Sequence, residues 1–174
     1  MIRALGRLLR RWRAGPDTRV AEDPRFSEVP RRLVLRAEFA DGEPLPDGPV
    51  SPALAWTSVP AQTQSLAIVV EDLDVPFPRP FVHAVVYAID PQTTSLTSGE
   101  IAPDGMTLGY NGIGRRSFLA ATPLPGHGPH RYVFTVLAID YVPRFDQPPT
   151  RGRLLDAAAG HVVALGEIVG TRER

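Results

Sequence analysis

At 174 residues, with 43% hydrophobic and 22% charged side chains, the chain is sized for one domain with a core of its own. It contains no cysteine, which excludes disulfides and thiolate metal sites. Its net charge of zero argues against a dedicated nucleic-acid binder, whose affinity rests on clustered positive charge. The charge is unevenly spread: residues 1–36 carry ten arginines against four carboxylates, and the remainder nine against fifteen. No apolar run approaches the roughly 18 residues of a membrane span, and the first residues lack the apolar core of a secretory leader. A cytoplasmic location is therefore the default expectation.

In chain order, residues 1–13 read as a short basic amphipathic helix. Leu5, Leu8, Leu9 and Trp12 share one face, and Arg3, Arg7, Arg10 and Arg11 spread around the rest. Such a segment suits an anionic membrane surface, although a solvated or partner-packed helix is the plainer use. Gly15-Pro16-Asp17 breaks the pattern, and the following residues to about Pro30 read as a linker. The expected division is a helix and linker over 1–31 and a folded domain over 32–174.

From Leu33 the signal is β. Leu33, Leu35, Ala37 and Phe39 alternate with Val34, Arg36 and Glu38, the period of a half-buried strand. Residues 41–52 are rich in turn-forming Asp-Gly and Pro. The runs 66–70, 81–89 and 132–139 are short, continuous and rich in β-branched or aromatic residues, which favours buried strands over helices. Nineteen prolines and fifteen glycines between short strands favour a β-sandwich. Thr150 is placed to cap a helix over about 152–165, and a last short strand is expected over 167–171.

Polar groups concentrate at three points beside these strands. Glu71, Asp72 and Asp74 follow a strand with no solvent face, where an unpaired carboxylate is costly, yet Asp beside Pro76 is also an ordinary turn. His83 lies within an apolar strand, where a satisfied core histidine is the plainer reading. The loop from Pro123 through His127 to Tyr132 brings His, Arg and Tyr donors to a strand's start, or is simply a hairpin with exposed histidines.

Taken together and in order, these segments resemble the phosphatidylethanolamine-binding protein family, in its bacterial Raf kinase inhibitor-like branch. The resemblance runs from about Leu33 to Arg172. It rests on Ser51-Pro52-Ala53-Leu54-Ala55-Trp56 with Asp72-Leu73-Asp74-Val75-Pro76, on Phe81-Val82-His83-Ala84-Val85-Val86-Tyr87, and on Gly126-His127-Gly128-Pro129-His130-Arg131-Tyr132. It implies a mainly β fold, a Greek-key antiparallel sandwich with a small anion cavity at one end and a short C-terminal helix. It further implies a ligand site of Asp72, Asp74, Pro76, Phe81, His83, Phe118, Thr122, Pro123, His130 and Tyr132, and a cis bond before Pro76. If Asp72 lies beside His83, the carboxylate favours the imidazolium, and a phosphate could then bind it.

The resulting expectation is a non-catalytic binding protein for phosphorylated ligands or phospholipid head groups, with no cofactor or metal. A role in regulating a protein partner such as a kinase or protease, and a homodimer, rest on the resemblance alone. The alternatives are a hydrolase that uses the Asp/His/Tyr pocket, and a protein docked to a membrane through residues 1–13.

Overall fold

The computed structural model describes residues 2–174. Its seven strands are β1 (Val34–Ala37), β2 (Leu54–Thr57), β3 (Ser65–Asp72), β4 (Phe81–Ile89), β5 (Ser95–Leu96), β6 (His130–Ile139) and β7 (Val162–Arg172). Two helices, α1 (Ile2–Leu9) and α2 (Arg151–Ala158), flank them. The strands form two antiparallel sheets, one ordered β1-β2-β5 and the other β4-β3-β6-β7.

The larger sheet is covered on both faces, which explains why its strands read as unbroken apolar runs. On β3, Leu66, Ile68 and Val70 face the first core with Trp56, Leu54 and Leu96 of the smaller sheet. Ala67 and Val69 face the opposite way, into a second core with Leu154, Leu155 and Ala158 of α2. Both cores fill with the alternating side chains that a period of two demands.

Three expectations are corrected. The segment expected as a linker folds into three short 3-10 turns, Pro16–Thr18, Val20–Glu22 and Pro24–Phe26. Its Val20, Ala21 and Phe26 are buried in the second core, because the outer face of the large sheet needs an apolar cover beyond what α2 supplies. The C-terminal helix, capped as expected by the Thr150 side chain accepting from the Arg153 N–H, ends at Ala158 and does not reach 165. Gly160 sits at φ +79°, a left-handed conformation that stops a helix, and Val162 onward pairs with β6 along an eleven-residue strand. The basic N-terminal helix spans Ile2–Leu9; the part of that expectation falling on Met1 lies outside the described residues.

β3 ends in two carboxylates that leave on opposite faces. Glu71 points into the outer layer, where its side chain has no solvent exposure. The Val20 backbone N–H donates to it at 2.9 Å and the Arg151 Nε at 2.6 Å. Burial pushes the Glu71 carboxyl up, against the opposing pull of Arg151 and the Val20 N–H. Arg151→Leu leaves that carboxylate buried without its cation, a change expected to cost about 3–5 kcal/mol. Denaturant unfolding at neutral pH should show this loss. It should shrink as the pH falls and Glu71 takes up a proton, since protonation removes the charge that lacks a partner.

Candidate functional site

Asp72, the second carboxylate, faces the sandwich interior at the end of β3. The register sets Asp72 opposite Phe81 on β4 and opposite Tyr132 on β6, so three strands place these side chains in one row. His130, two residues before Tyr132 on β6, lies on the same face. His83 reaches it through an irregularity. The β3–β4 pairing slips between Val70–Ala84 and Glu71–Val82, leaving His83 as the extra residue of a β-bulge. The bulge re-aims one side chain within an otherwise apolar strand, a common use of bulges beside binding sites. The His83 ring then stands edge-on between Phe81 and Tyr132, with centroids at 5.2 and 5.1 Å.

These residues line a cavity of about 500 Å³. Of the ten residues expected at the site, Asp72, Pro76, Phe81, His83, Thr122, Pro123, His130 and Tyr132 line it. Asp74 and Phe118 do not. Asp74 turns away to bind Arg131 and Arg13, and Phe118 packs against the sandwich core. The cavity wall also includes Ala120 and, missed by sequence reasoning, Val75, Phe77, Ile113, Leu119 and Leu124. Phe77 and Ile113 carried a faint signal, being large apolar residues within turn-rich segments.

The Val75–Pro76 bond is trans, and no cis bond occurs among the described residues. The turn is closed by hydrogen bonds: the Asp74 N–H donates to Asp72 Oδ1 at 2.9 Å, and the Phe77 N–H to the Val75 carbonyl at 2.8 Å.

The protonation expected of His83 is also corrected. Its Nδ1–H donates to the Leu119 carbonyl at 2.8 Å, and burial pushes its imidazolium down, outweighing that bond and the charge of Asp72. His83 is therefore a neutral ring whose Nε2 lone pair is left as an acceptor. The carboxylate of Asp72 pairs instead with His130, at 2.7 Å between Oδ2 and Nδ1. Tyr132 is buried, and its hydroxyl has no hydrogen-bond partner among the described residues. Burial first, then the charge of the Asp72 carboxylate and its approach to the hydroxyl, short of a well-formed hydrogen bond, push this phenol up, so it is a neutral donor.

His130 continues into a relay. Its Nε2 meets Nδ1 of His127 at 2.8 Å, and Nε2 of His127 meets the Leu9 carbonyl at 2.9 Å. His127 is fully buried, which excludes the alternative reading of its loop as a hairpin with exposed histidines. The carbonyl at one end of this chain can only accept a hydrogen bond. The relay ties the last residue of α1 to the cavity wall. Among the described residues no group of three His, Cys, Asp or Glu is placed to hold a metal ion.

α1 is fastened at two further points. A Cβ at Gly6 would overlap the Pro125 carbonyl, so only glycine permits this approach to the loop before β6. Arg13 pairs with Asp74 at 2.7 Å, and Asp74 also takes bidentate bonds at 2.8 Å from Arg131. Burial alone would raise the Asp74 carboxyl, but the hydrogen bonds from Arg131 and Arg13 outweigh it and hold it at about 2.

A family model described as phosphatidylethanolamine-binding protein matches residues 36–173. A UPF0098 protein of Methanothermobacter thermautotrophicus is 33% identical over 130 residues, covering 72% of this chain and 83% of the relative. A UPF0098 protein of Chlamydia trachomatis is 33% identical over 147 residues, covering 78% and 95%. Among solved structures, a putative phosphatidylethanolamine-binding protein homolog from Chlamydia trachomatis superposes with a TM-score of 0.75 at 31% identity, over 83% of this chain and 99% of that one. The Escherichia coli protein YbcL, described as a member of the mammalian PEBP family, gives 0.75 at 25% identity over the same shares.

Two outcomes are expected of the site's framework. Asp74→Asn should cost about 2 kcal/mol at pH 7, the free energy of a carboxyl held near 2 against an ordinary 3.8. In the parent protein the same contribution is present above pH 4 and lost as the pH falls towards 2, which acid unfolding of both proteins would check. His127→Ala breaks the relay, so amide hydrogen exchange over residues 2–9 should quicken while that of β3 and β6 stays unchanged.

Proposed function

Because the chain belongs to the phosphatidylethanolamine-binding protein family, we propose that its cavity binds a small phosphorylated ligand or a phospholipid head group, with phosphoethanolamine as the reference chemistry. The observation that carries this reading is the unpartnered hydroxyl of Tyr132, buried beside a neutral His83. A buried donor without an acceptor is costly, and a phosphate oxygen would satisfy it. The His83 Nε2 offers the opposite polarity and accepts a hydrogen bond from a protonated ligand oxygen. A phosphomonoester carrying one proton presents both an oxyanion and a P–OH, and so matches the two groups at once.

The apolar wall of Val75, Phe77, Phe81, Leu119 and Leu124 accommodates whatever the phosphate is attached to. The Asp72 carboxylate contributes less to an ammonium group than its position in the row suggests. One oxygen already accepts from the Asp74 N–H and the other from His130.

Binding is favoured over hydrolysis by the state of His130. Paired with a buried Asp at 2.7 Å, it has the first half of a general-base dyad. Its second nitrogen, however, is engaged by His127, leaving no lone pair for a water molecule. Regulation of a kinase, protease or other protein partner would be a further consequence of ligand binding, and no surface residue argues for a particular partner.

Imidazole NMR during titration with phosphoethanolamine, with phosphate and ethanolamine as controls, tests the proposal. Saturable shifts at His83 are expected with the two phosphates and not with ethanolamine. Tyr132→Phe should weaken phosphoethanolamine binding roughly tenfold or more, the worth of a hydrogen bond to a charged group. Affinity should fall as the pH rises past about 6, where the phosphate loses its second proton, since that proton is shared with His83. Unchanged His83 signals throughout would rule out phosphate binding in this cavity.

A further inference from the structure

α1 presents an unpartnered surface. The helix rests on the domain through Gly6, its one buried residue, and this places the remaining side chains outward. Ile2, Leu5, Leu8 and Trp12 are 62%, 50%, 77% and 67% exposed, an unusual set of large apolar groups to leave in water. Beside them stand Arg3, Arg7, Arg10 and Arg11. None of these four forms an ion pair among the described residues, so their charges are free to meet an outside partner. Arg3, Arg7 and Arg10 share a cleft with Glu173 and Arg174, a net excess of three positive charges.

The helix is not a loose appendage. The Ala14 and Gly15 N–H groups donate to the Val75 and Leu73 carbonyls, and Gly6 and His127 fix it to the loop before β6. Both supporting segments, 73–77 and 123–130, contribute to the cavity wall, whose rim carries the exposed Phe77 and Ile113.

We infer that α1, with the turn that follows it to Trp12, is a docking element for an anionic lipid bilayer: Ile2, Leu5, Leu8 and Trp12 enter the interface, and Arg3, Arg7, Arg10 and Arg11 lie among the phosphates. Exposed apolar groups joined to unpaired arginines are what an interfacial helix requires, and neither feature alone would select this partner over another protein. No helix among the described residues is long and apolar enough to cross a membrane, so α1 lies on the surface and does not span it. Its rigid attachment holds the cavity beside the bilayer. The docking depends only on α1 and is separable from the nature of the cavity's ligand.

The full chain contains its own reporter. Of its two tryptophans, Trp56 is buried in the sandwich and Trp12 is two-thirds exposed. Adding vesicles of equal phosphatidylglycerol and phosphatidylcholine should shift the emission of Trp12 to the blue and co-sediment the protein, while phosphatidylcholine alone should do neither. Each arginine charge removed should weaken partitioning about fivefold, so Arg7→Gln with Arg10→Gln should weaken it roughly twenty-five-fold. Leu8→Gln should abolish the blue shift. These exposed positions should leave the His83 response to phosphoethanolamine unchanged, so failure of vesicle binding and failure of ligand binding are read separately. Equal binding to both vesicle types, or no Trp12 shift with either, would overturn the inference. So would a Leu8→Gln variant that turns a dimer into a monomer without altering vesicle binding, which would make this face a contact between two copies.

Discussion

The central constraint in this molecule is that β3 has no face in water. A strand covered on both sides can carry apolar residues without cost, but the two carboxylates at its end cannot be solvated and must be neutralised by other parts of the chain. Glu71 recruits Arg151 at the start of α2 and the backbone of the segment that covers the outer sheet. Asp72 recruits His130 on the neighbouring strand and the backbone of its own turn. The placement of the outer layer and of the cavity therefore follows from one pair of adjacent acidic residues whose side chains leave on opposite faces.

This arrangement also sets the character of the cavity. No arginine lines it; the arginines near it are spent on Asp74, one residue beyond Leu73. The available groups are a neutral histidine, a neutral phenol and the Asp72–His130 pair, all enclosed by apolar walls. In such a low-dielectric enclosure, matched donors and acceptors count for more than net charge. The surrounding sheet fixes the Tyr132 hydroxyl in place although it has no hydrogen-bond partner among the described residues.

The same relay joins the cavity to the N-terminal helix. Asp72, His130, His127 and the Leu9 carbonyl form a continuous hydrogen-bonded line from the sheet to α1. The family match covers residues 36–173, so α1 and the three 3-10 turns precede it in the chain. They are nonetheless integrated with it through buried contacts. Val20 and Phe26 complete the second core, and Arg13 completes the ion-pair cluster on Asp74.

Much of this was legible in the amino-acid sequence. Continuous apolar runs at 66–70, 81–89 and 132–139 announce buried strands because period-two packing on two faces leaves no polar position, and Thr150 announces a helix start because its side chain can cap one. The ordered segments around Asp72, His83 and His130 identify the family and most of the cavity wall. Local pattern fails where the outcome depends on distant partners. Whether Val20 and Phe26 are linker or core depends on an uncovered sheet face some forty residues on. Whether Asp72 serves His83 or His130 depends on strand register, and a single bulge at residue 83 decides which way that ring points. Protonation is likewise a tertiary property: burial keeps His83 neutral, which its place in an apolar strand does not by itself decide.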